Sequence, residues 1–316
     1  MITIQNLSHD PFYNQAFEEY VYQTFREDDV FLLWQNTPSV IVGSHQNICR
    51  EVHVESLRRL GIPVVRRATG GGTVYHDMGN VNYSYITQTS GTLDYDEVLT
   101  PVIRALNAIG VPAQKNRLCD IAINGQKISG SAQRIVKGRL LHHGTLLFSS
   151  DLAVLDQITT HRKNDCFQSN GTRSAICAVT NIRDHLAAPM TIEEFQARLL
   201  HQMVPSASHQ HLALTPEQEL EVCRLRDEKY RSWEWTWGKT PAFTYEKSGM
   251  FSGSPIRVAY RAKHGIVSDA EIHCPVIDGA LAARLMNGAR LEPETFSAIC
   301  RQLVGDTSDA LLDWLM

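Results

Sequence analysis

The chain has 316 residues, 43% hydrophobic and 20% charged, with a formal net charge of -4 and a pI near 6.3. That length buries a full core and admits one large domain, or one large and one small. Five tryptophans and ten tyrosines argue against disorder, and the absence of a basic tail excludes binding to nucleic acid by charge alone.

Residues 11–26 read as a helix: Asp10 stands at the cap, Pro11 at the first position, and Phe12, Ala16, Phe17, Tyr20 and Val21 recur at helical spacing. Residues 30–34 and 39–42 read as strands around an Asn36-Thr37-Pro38 turn, and 51–60 as a short helix closed by Gly61. Strands are expected at 63–67 and 81–86, with a glycine-rich loop between them, then a helix over 95–109. Asn124-Gly125 and Lys137-Gly138 mark hairpins, the first joining 120–123 to 126–128 and the second joining 135–136 to 139–148. Helices are expected at 191–203, opened by a Thr191-x-x-Glu194 capping box, and at 215–230. The last 70 or so residues read as strand (251–262), turn (His264-Gly265), strand (266–274), then helices at 279–287 and 293–304. Strands mixed with separated helices predict an α+β protein, with a domain over 1–244 and a small α+β unit over 245–316.

The start, MITIQNLSHDPFYN, lacks the basic and apolar regions of a signal peptide, and no run approaches the roughly 18 apolar residues of a membrane helix. Seven cysteines, at 49, 119, 166, 177, 223, 274 and 300, form no C-x-x-C pair, so neither a disulfide framework nor a zinc site is expected. Free thiols suit a reducing compartment, and the expected location is the cytoplasm.

The segment Arg66-Arg67-Ala68-Thr69-Gly70-Gly71-Gly72-Thr73 carries the strongest chemical signal. Three consecutive glycines cost backbone entropy, and an anion cradled on bare N–H groups would offset it. The two arginines supply forks that match phosphate or carboxylate. The bland reading, a loop with solvated arginines, competes with this one. No P-loop is present, because Trp233 stands where Gly238-Lys239-Thr240 would need a first glycine. A second segment, Asn124-Gly125-Gln126-Lys127-Ile128-Ser129-Gly130-Ser131-Ala132-Gln133, sets a lysine beside small residues that leave room for a ligand. Most lysines in hairpins are simply solvated. Asp120, before this hairpin, is a turn residue or a hard oxygen donor for Mg²⁺. His142 and His143 are adjacent on a strand, point to opposite faces, and are not expected to share a metal.

Taken together, these segments resemble lipoate–protein ligases. RRATGGGTVYHDMGN at 66–80 resembles the family's RRxSGGGAVYHDxGN, and GQKISGSAQ at 125–133 resembles its GxKxSGSA strand. Gly43-Ser44-His45-Gln46-Asn47, His142-His143-Gly144-Thr145, Val179-Thr180-Asn181 and the W-x-W-x-x-G-x-x-P-x-F run from Trp233 to Phe243 match in order. The resemblance implies a catalytic domain like that of biotin and lipoate protein ligases, followed by a C-terminal accessory domain. It implies that Lys127 is catalytic and touches both the lipoyl carboxyl and the α-phosphate of ATP. Arg67, Gly72, Thr73, Val74 and Tyr75 would bind the nucleotide; Gly71 and His143 would join Lys127 on lipoate. Cys119 replaces the family's asparagine, which leaves Asp120 as the candidate for Mg²⁺. Thr69 replaces serine and keeps a hydroxyl, and residues 174–178 depart from an arginine-rich pattern.

The implied partners are lipoic acid and lipoyl-domain acceptors, namely 2-oxoacid dehydrogenase E2 subunits and the glycine cleavage H protein, with no nucleic acid and no membrane. An apolar tunnel for the dithiolane is expected along Val40, Val42, Val74 and Val81. The alternative is a cysteine-dependent octanoyl or lipoyl transferase using Cys119 or Cys177. A non-catalytic binding protein and a biotin ligase are further readings, disfavoured by the intact Lys127 segment and by the wording of the motifs.

Overall fold

A computed structural model describes residues 1–89, 91, 94–159, 167–204 and 210–316. The α+β class holds. An eight-stranded mixed sheet runs in the order Gln210–Leu212, Ile2–Ile4, Val30–Trp34, Asn80–Gln88, Arg139–Leu147, Gln126–Val136, Asp120–Ile123, Gln114–Lys115. Its first two pairings are parallel and the rest antiparallel. Among the described residues, no helix is long and apolar enough to cross a membrane.

Each face of this sheet is covered because alternate residues of its strands are apolar. Phe31, Val81, Tyr83, Leu140 and Leu146 pack against the helices Asp96–Ala108 and Ile192–Met203. Val30, Leu32, Ile86 and Leu141 pack against the helices Pro11–Thr24 and Pro216–Leu225. Asp10 caps the first of these as expected, its carboxylate accepting from Phe12 N–H at 2.9 Å, and the Thr191–Glu194 capping box is formed. The helix expected over 215–230 begins at Pro216 and finishes as a π-turn over Arg226–Tyr230.

A small sheet of Val64–Arg66, Ser39–Val42 and Val74–His76 faces the large sheet across a cavity. Its alternation corrects the expected tunnel. Ile41 and Val74 line the cavity. Val40 and Val42 point the other way, into the core shared with the C-terminal strands, and Val81 lies in the core beneath the large sheet.

The C-terminal sheet is antiparallel, in the order Phe167–Ser169, Phe243–Phe251, Ser254–Lys263, Ile266–His273. The sequence predicts one hairpin here and the structure has two, because Glu246-Lys247-Ser248-Gly249 is polar and glycine-containing in mid-strand. Ser252-Gly253 and His264-Gly265 both turn with positive φ, the geometry of a two-residue hairpin loop. Gly249 makes room for Trp314 of the final helix Ser308–Leu315, an element beyond those expected from the sequence; a β-carbon on Gly249 would meet that ring at 2.8 Å.

Candidate active site

Lys127 is positioned by its main chain on both sides. Its N–H donates to Ala178 O at 2.9 Å, and its carbonyl accepts from Thr180 N–H at 3.0 Å, so residues 178–180 run alongside it. Its ammonium pairs with Asp120 at 2.8 Å; the lysine side chain is 23% exposed and the aspartate 5%. Gly130 is what lets the lysine lie flat, since a β-carbon there would sit 2.7 Å from Nζ and 2.8 Å from Cε. Gly130→Ala is therefore expected to push the ammonium aside without unfolding the chain. Adenylate formation should fall by about 10- to 100-fold, with a melting temperature within about 2 °C of wild type. Wild-type turnover in this variant would remove the argument for Lys127's placement.

Two cavities, of about 380 and 410 Å³, meet at Lys127 and share Thr73, Val74, Thr145, Ser174 and Ala175 with it. The floor of the first is one row across the large sheet. Trp34 pairs with Asn82, Asn82 with Thr145, Thr145 bonds to Gly130, and Gly130 pairs with Asp120. Four strand spacings of about 4.8 Å make this floor roughly 19 Å long. Its far end holds Trp34, Ile41 and His76; its near end holds the Lys127–Asp120 pair. The second cavity is lined largely by apolar groups, Tyr75, Leu147, Leu152, Leu155 and Val179 among them.

The glycine loop closes over the first cavity. Arg67 is buried, and its guanidinium holds the loop rather than facing solvent. Its NH2 group donates to Gly70 O at 2.6 Å and Gly72 O at 2.7 Å, and its Nε to Thr69 Oγ1 at 3.0 Å. Burial lowers its pKa to about 10, which leaves it charged at neutral pH. Gly71 has φ +87°, and its carbonyl comes so close to Gly43 that a β-carbon on Gly43 would stand 2.3 Å from it. The backbone N–H of Thr73 donates to Ser174 Oγ at 2.9 Å, and Ser174 is tied in turn to Glu51 and Gln46. A side-chain hydroxyl thus sits on one donor of the expected anion cradle.

Arg66 departs from the expectation. Successive residues of a strand face opposite ways, and Arg66 points away from the cavity. It is wholly buried against Thr236 O at 2.8 Å, Gly43 O at 2.8 Å and Gln46 O at 3.0 Å. Trp235 Nε1 donates back to Arg66 O at 2.7 Å, and Lys229 and Lys239 lie over the Trp235 ring at 4.1 and 3.8 Å. The W-x-W-x-x-G run therefore forms a seam between the glycine-loop strand and the C-terminal unit.

Behind the loop runs a polar chain of which the sequence motifs mark only His143 and Thr69. His143 Nδ1 lies 2.9 Å from both oxygens of Glu18, and its Nε2 lies 2.7 Å from Thr69 Oγ1. Ser84 donates to Glu18 and accepts from Trp34 Nε1 at 2.9 Å. Glu18 sits in the first helix, and nothing in its neighbours along the chain signals this partnership. As expected, the two histidines part company: His142 faces Tyr83, Tyr95 and Gln133 on the other side of the sheet.

Asp120 is the residue expected to hold Mg²⁺. Among the described residues, no group of three or more His, Cys, Asp or Glu side chains could cage a metal. A single hard carboxylate still suits Mg²⁺, which keeps most of its waters and takes its remaining ligands from substrate phosphates. Cys119 lines the first cavity and Cys177 the second, while Cys166 lies outside the described residues.

Residues 10–204 match the family model described as the lipoyl protein ligase A/B catalytic domain. Over 268 residues the chain is 35% identical to lipoate–protein ligase 1 of Staphylococcus aureus, covering 83% of this chain and 81% of that one. Its fold is that of LipL1 of P. falciparum in complex with lipoate, with a TM-score of 0.64 at 20% identity, covering 100% of this chain and 98% of that one. It is also that of a lipoate–protein ligase A bound with ATP, with a TM-score of 0.63 at 24% identity over 74% of this chain and 96% of that one. The motifs, the two cavities joined at one lysine and these matches agree, and the chain belongs to the lipoyl protein ligase A/B catalytic domain family.

Proposed function

We propose that this protein adenylates lipoic acid with Mg-ATP and transfers the lipoyl group to a lysine of an acceptor protein. One observation carries the proposal: Lys127 stands where a long cavity with an aromatic far end meets a second, apolar cavity. A carboxylic acid laid along the first brings its carboxylate to the same ammonium as the α-phosphate of a nucleotide seated in the second.

A carboxylate does not acylate an amine at neutral pH, because oxide is a poor leaving group. Here a carboxylate oxygen attacks the α-phosphorus and pyrophosphate leaves, giving a mixed anhydride. The acceptor's neutral amine then attacks the carbonyl carbon, AMP leaves with the bonding electrons, and the surplus amine proton passes to solvent or to the departing phosphate. Lys127 stabilises the charge on the phosphoryl oxygens in the first step and the departing phosphate in the second. Arg67 holds Gly70 and Gly72, which sets the shape of the loop over the reacting atoms; Thr73, Val74 and Tyr75 would line the nucleotide. Gly71 and His143 would border the acyl chain. Mg²⁺ would bind Asp120 together with the phosphates and neutralise the leaving pyrophosphate. E2 lipoyl domains and the glycine cleavage H protein are the proposed acceptors. We also assign residues 1–244 to the catalytic domain and 245–316 to the accessory one.

The test is pyrophosphate release from Mg-ATP, with and without lipoate, followed by mass analysis of an added lipoyl domain. Lipoate-dependent release and a lipoyl mass increment on the acceptor lysine are expected. Acylation of the enzyme itself by an octanoylated carrier, with no need for ATP, would overturn the reading.

The thioester alternative needs a thiolate beside Lys127. Burial, followed by the charge of Asp120, raises the Cys119 thiol above its ordinary range, so at neutral pH it is more fully protonated than a free thiol. Cys119→Ser is expected to keep lipoyl transfer within about threefold of wild type; a thioester mechanism at Cys119 predicts its complete loss.

A further inference from the structure

Arg67 holds the glycine loop, yet among the described residues it touches no carboxylate. Its NH1 group donates to Ile41 O at 3.2 Å, its NH2 to the carbonyls of Gly70 and Gly72, and its Nε to Thr69 Oγ1 and to Gly70 O at 3.2 Å. All of these acceptors are uncharged. A buried cation is costly without a counter-charge. Glu18 provides one at two removes, through His143 and Thr69. It is 3% exposed, it takes no part in the chemical steps, and its charge opposes the lowering of the Arg67 pKa by burial. Glu19, next in the helix, turns instead to Lys229 and Tyr230.

The protons of the chain follow from its two ends. Arg67 Nε only donates, so Thr69 Oγ1 accepts from it and has its own hydrogen left for His143 Nε2, 2.7 Å away. The Glu18 carboxylate only accepts, so His143 Nδ1 donates to it at 2.9 Å. The neutral ring then accepts at Nε2, and every bond from Arg67 to Glu18 runs from donor to acceptor in one direction. Hydrogen bonds aligned this way polarise one another, and they fix the Thr69 hydroxyl on which one edge of the guanidinium rests. Turning the guanidinium off that hydroxyl would also take its NH2 off the Gly70 and Gly72 carbonyls. A second branch leaves Glu18 through Ser84 to Trp34, in the wall of the first cavity.

We propose that Glu18 is a positioning residue for adenylation: through His143 and Thr69 it sets the guanidinium of Arg67, and with it the shape of the glycine loop over the reacting atoms. The proposal rests on the ligase reading above. Glu18 touches neither substrate in this role, and the branch to Trp34 is not the one by which it acts.

The experiment is a double-mutant cycle in the full-length protein, with adenylation followed as lipoate-dependent pyrophosphate release and melting temperature measured in the same samples. Glu18→Gln keeps the size of the side chain and removes its charge. It should lower kcat by about tenfold and leave the KM for lipoate within about threefold of wild type. Thr69→Val cuts the chain in its middle and should give a similar loss, while Thr69→Ser, which keeps the hydroxyl, should stay within about threefold of wild type. The Glu18→Gln, Thr69→Val double variant should be no slower than the slower single variant, since the link is already broken; independent effects would multiply to about 100-fold. Multiplicative losses overturn the proposal, as does wild-type kcat in Glu18→Gln. A raised KM for lipoate at unchanged kcat also overturns it, because that places the effect on the Trp34 branch. Should Glu18→Gln fail to fold, Thr69→Val against Thr69→Ser decides, and equal kcat in these two overturns the proposal. Wild type that releases no pyrophosphate with lipoate is instead the failure of the ligase reading.

Discussion

Lys127→Ala is expected to lower lipoate-dependent pyrophosphate release by about 10²- to 10⁴-fold, the scale of losing a preorganised charge in a sheltered site. Two effects act in the same direction. The ammonium that would face the α-phosphate is removed. Asp120, 3% exposed and paired with that ammonium at 2.8 Å, is left as a buried carboxylate without its cation, next to the path of a polyanion. The second effect can be separated from the first. Asp120→Asn on the Lys127→Ala background removes the stranded charge together with the proposed Mg²⁺ ligand, so it should recover melting temperature while leaving turnover low. Lys127→Arg is not expected to rescue: the planar guanidinium is bulkier than the ammonium, and the lysine already lies against Gly130 with no room for a β-carbon between them. Turnover within tenfold of wild type in Lys127→Ala would falsify the central role given to this residue. Loss of turnover together with a collapsed melting temperature would count as damage to the fold, so unfolding is followed in the same samples.

The two central motifs were legible because each compresses its chemistry into consecutive residues. Gly130 follows Lys127 by three positions on the same strand, and the hairpin pairs Asp120 with Gly130. Asn124 and Gly125, at φ of 49° and 79°, announce their turn by residue type alone. What the sequence concealed is parity and long-range pairing. Arg66 and Arg67 look equivalent, yet adjacent residues of a strand face apart, and only one of them touches the glycine loop. The same parity placed Val40 and Val42 in the core and Ile41 in the cavity. Glu18 is an unremarked acid in a helix until a strand more than a hundred residues later brings His143 to it. Ile2–Ile4 forms a sheet with Gln210–Leu212 from the far end of the catalytic region, a pairing that no local pattern encodes. The Trp235 seam belongs to the same class: the motif was visible in the sequence, but its partner, the Arg66 carbonyl, was not.

Acid should destabilise the fold well before its carboxylates are protonated, and two buried histidines set the window. His76 and His142 each have a pKa lowered to about 3, by burial first and then by charged or ionisable neighbours. Geometry gives the same sign. His76 Nδ1 accepts from the Asn36 amide at 3.0 Å, and His142 Nδ1 lies 2.8 Å from Gln133 Nε2, which also donates to Asp94 O. A proton added to either Nδ1 would point at an N–H donor. In the unfolded chain both rings titrate near about 6.5, so the unfolded state binds more protons than the folded state everywhere between that value and about 3. Stability from these groups is therefore complete above pH 6.5 and is lost as the pH falls toward 3. At pH 5 each ring lies about 1.5 units below its unfolded pKa, which amounts to about 2 kcal/mol, or about 4 kcal/mol for the pair. That is a large share of the roughly 5–15 kcal/mol available to a folded domain. Urea unfolding at pH 8 and pH 5 measures the loss, and a His76→Gln, His142→Gln double variant isolates it from the other titrating groups. The double variant should lose about 4 kcal/mol less than wild type across that interval. If the two proteins lose the same amount, the rings are not held neutral by the fold.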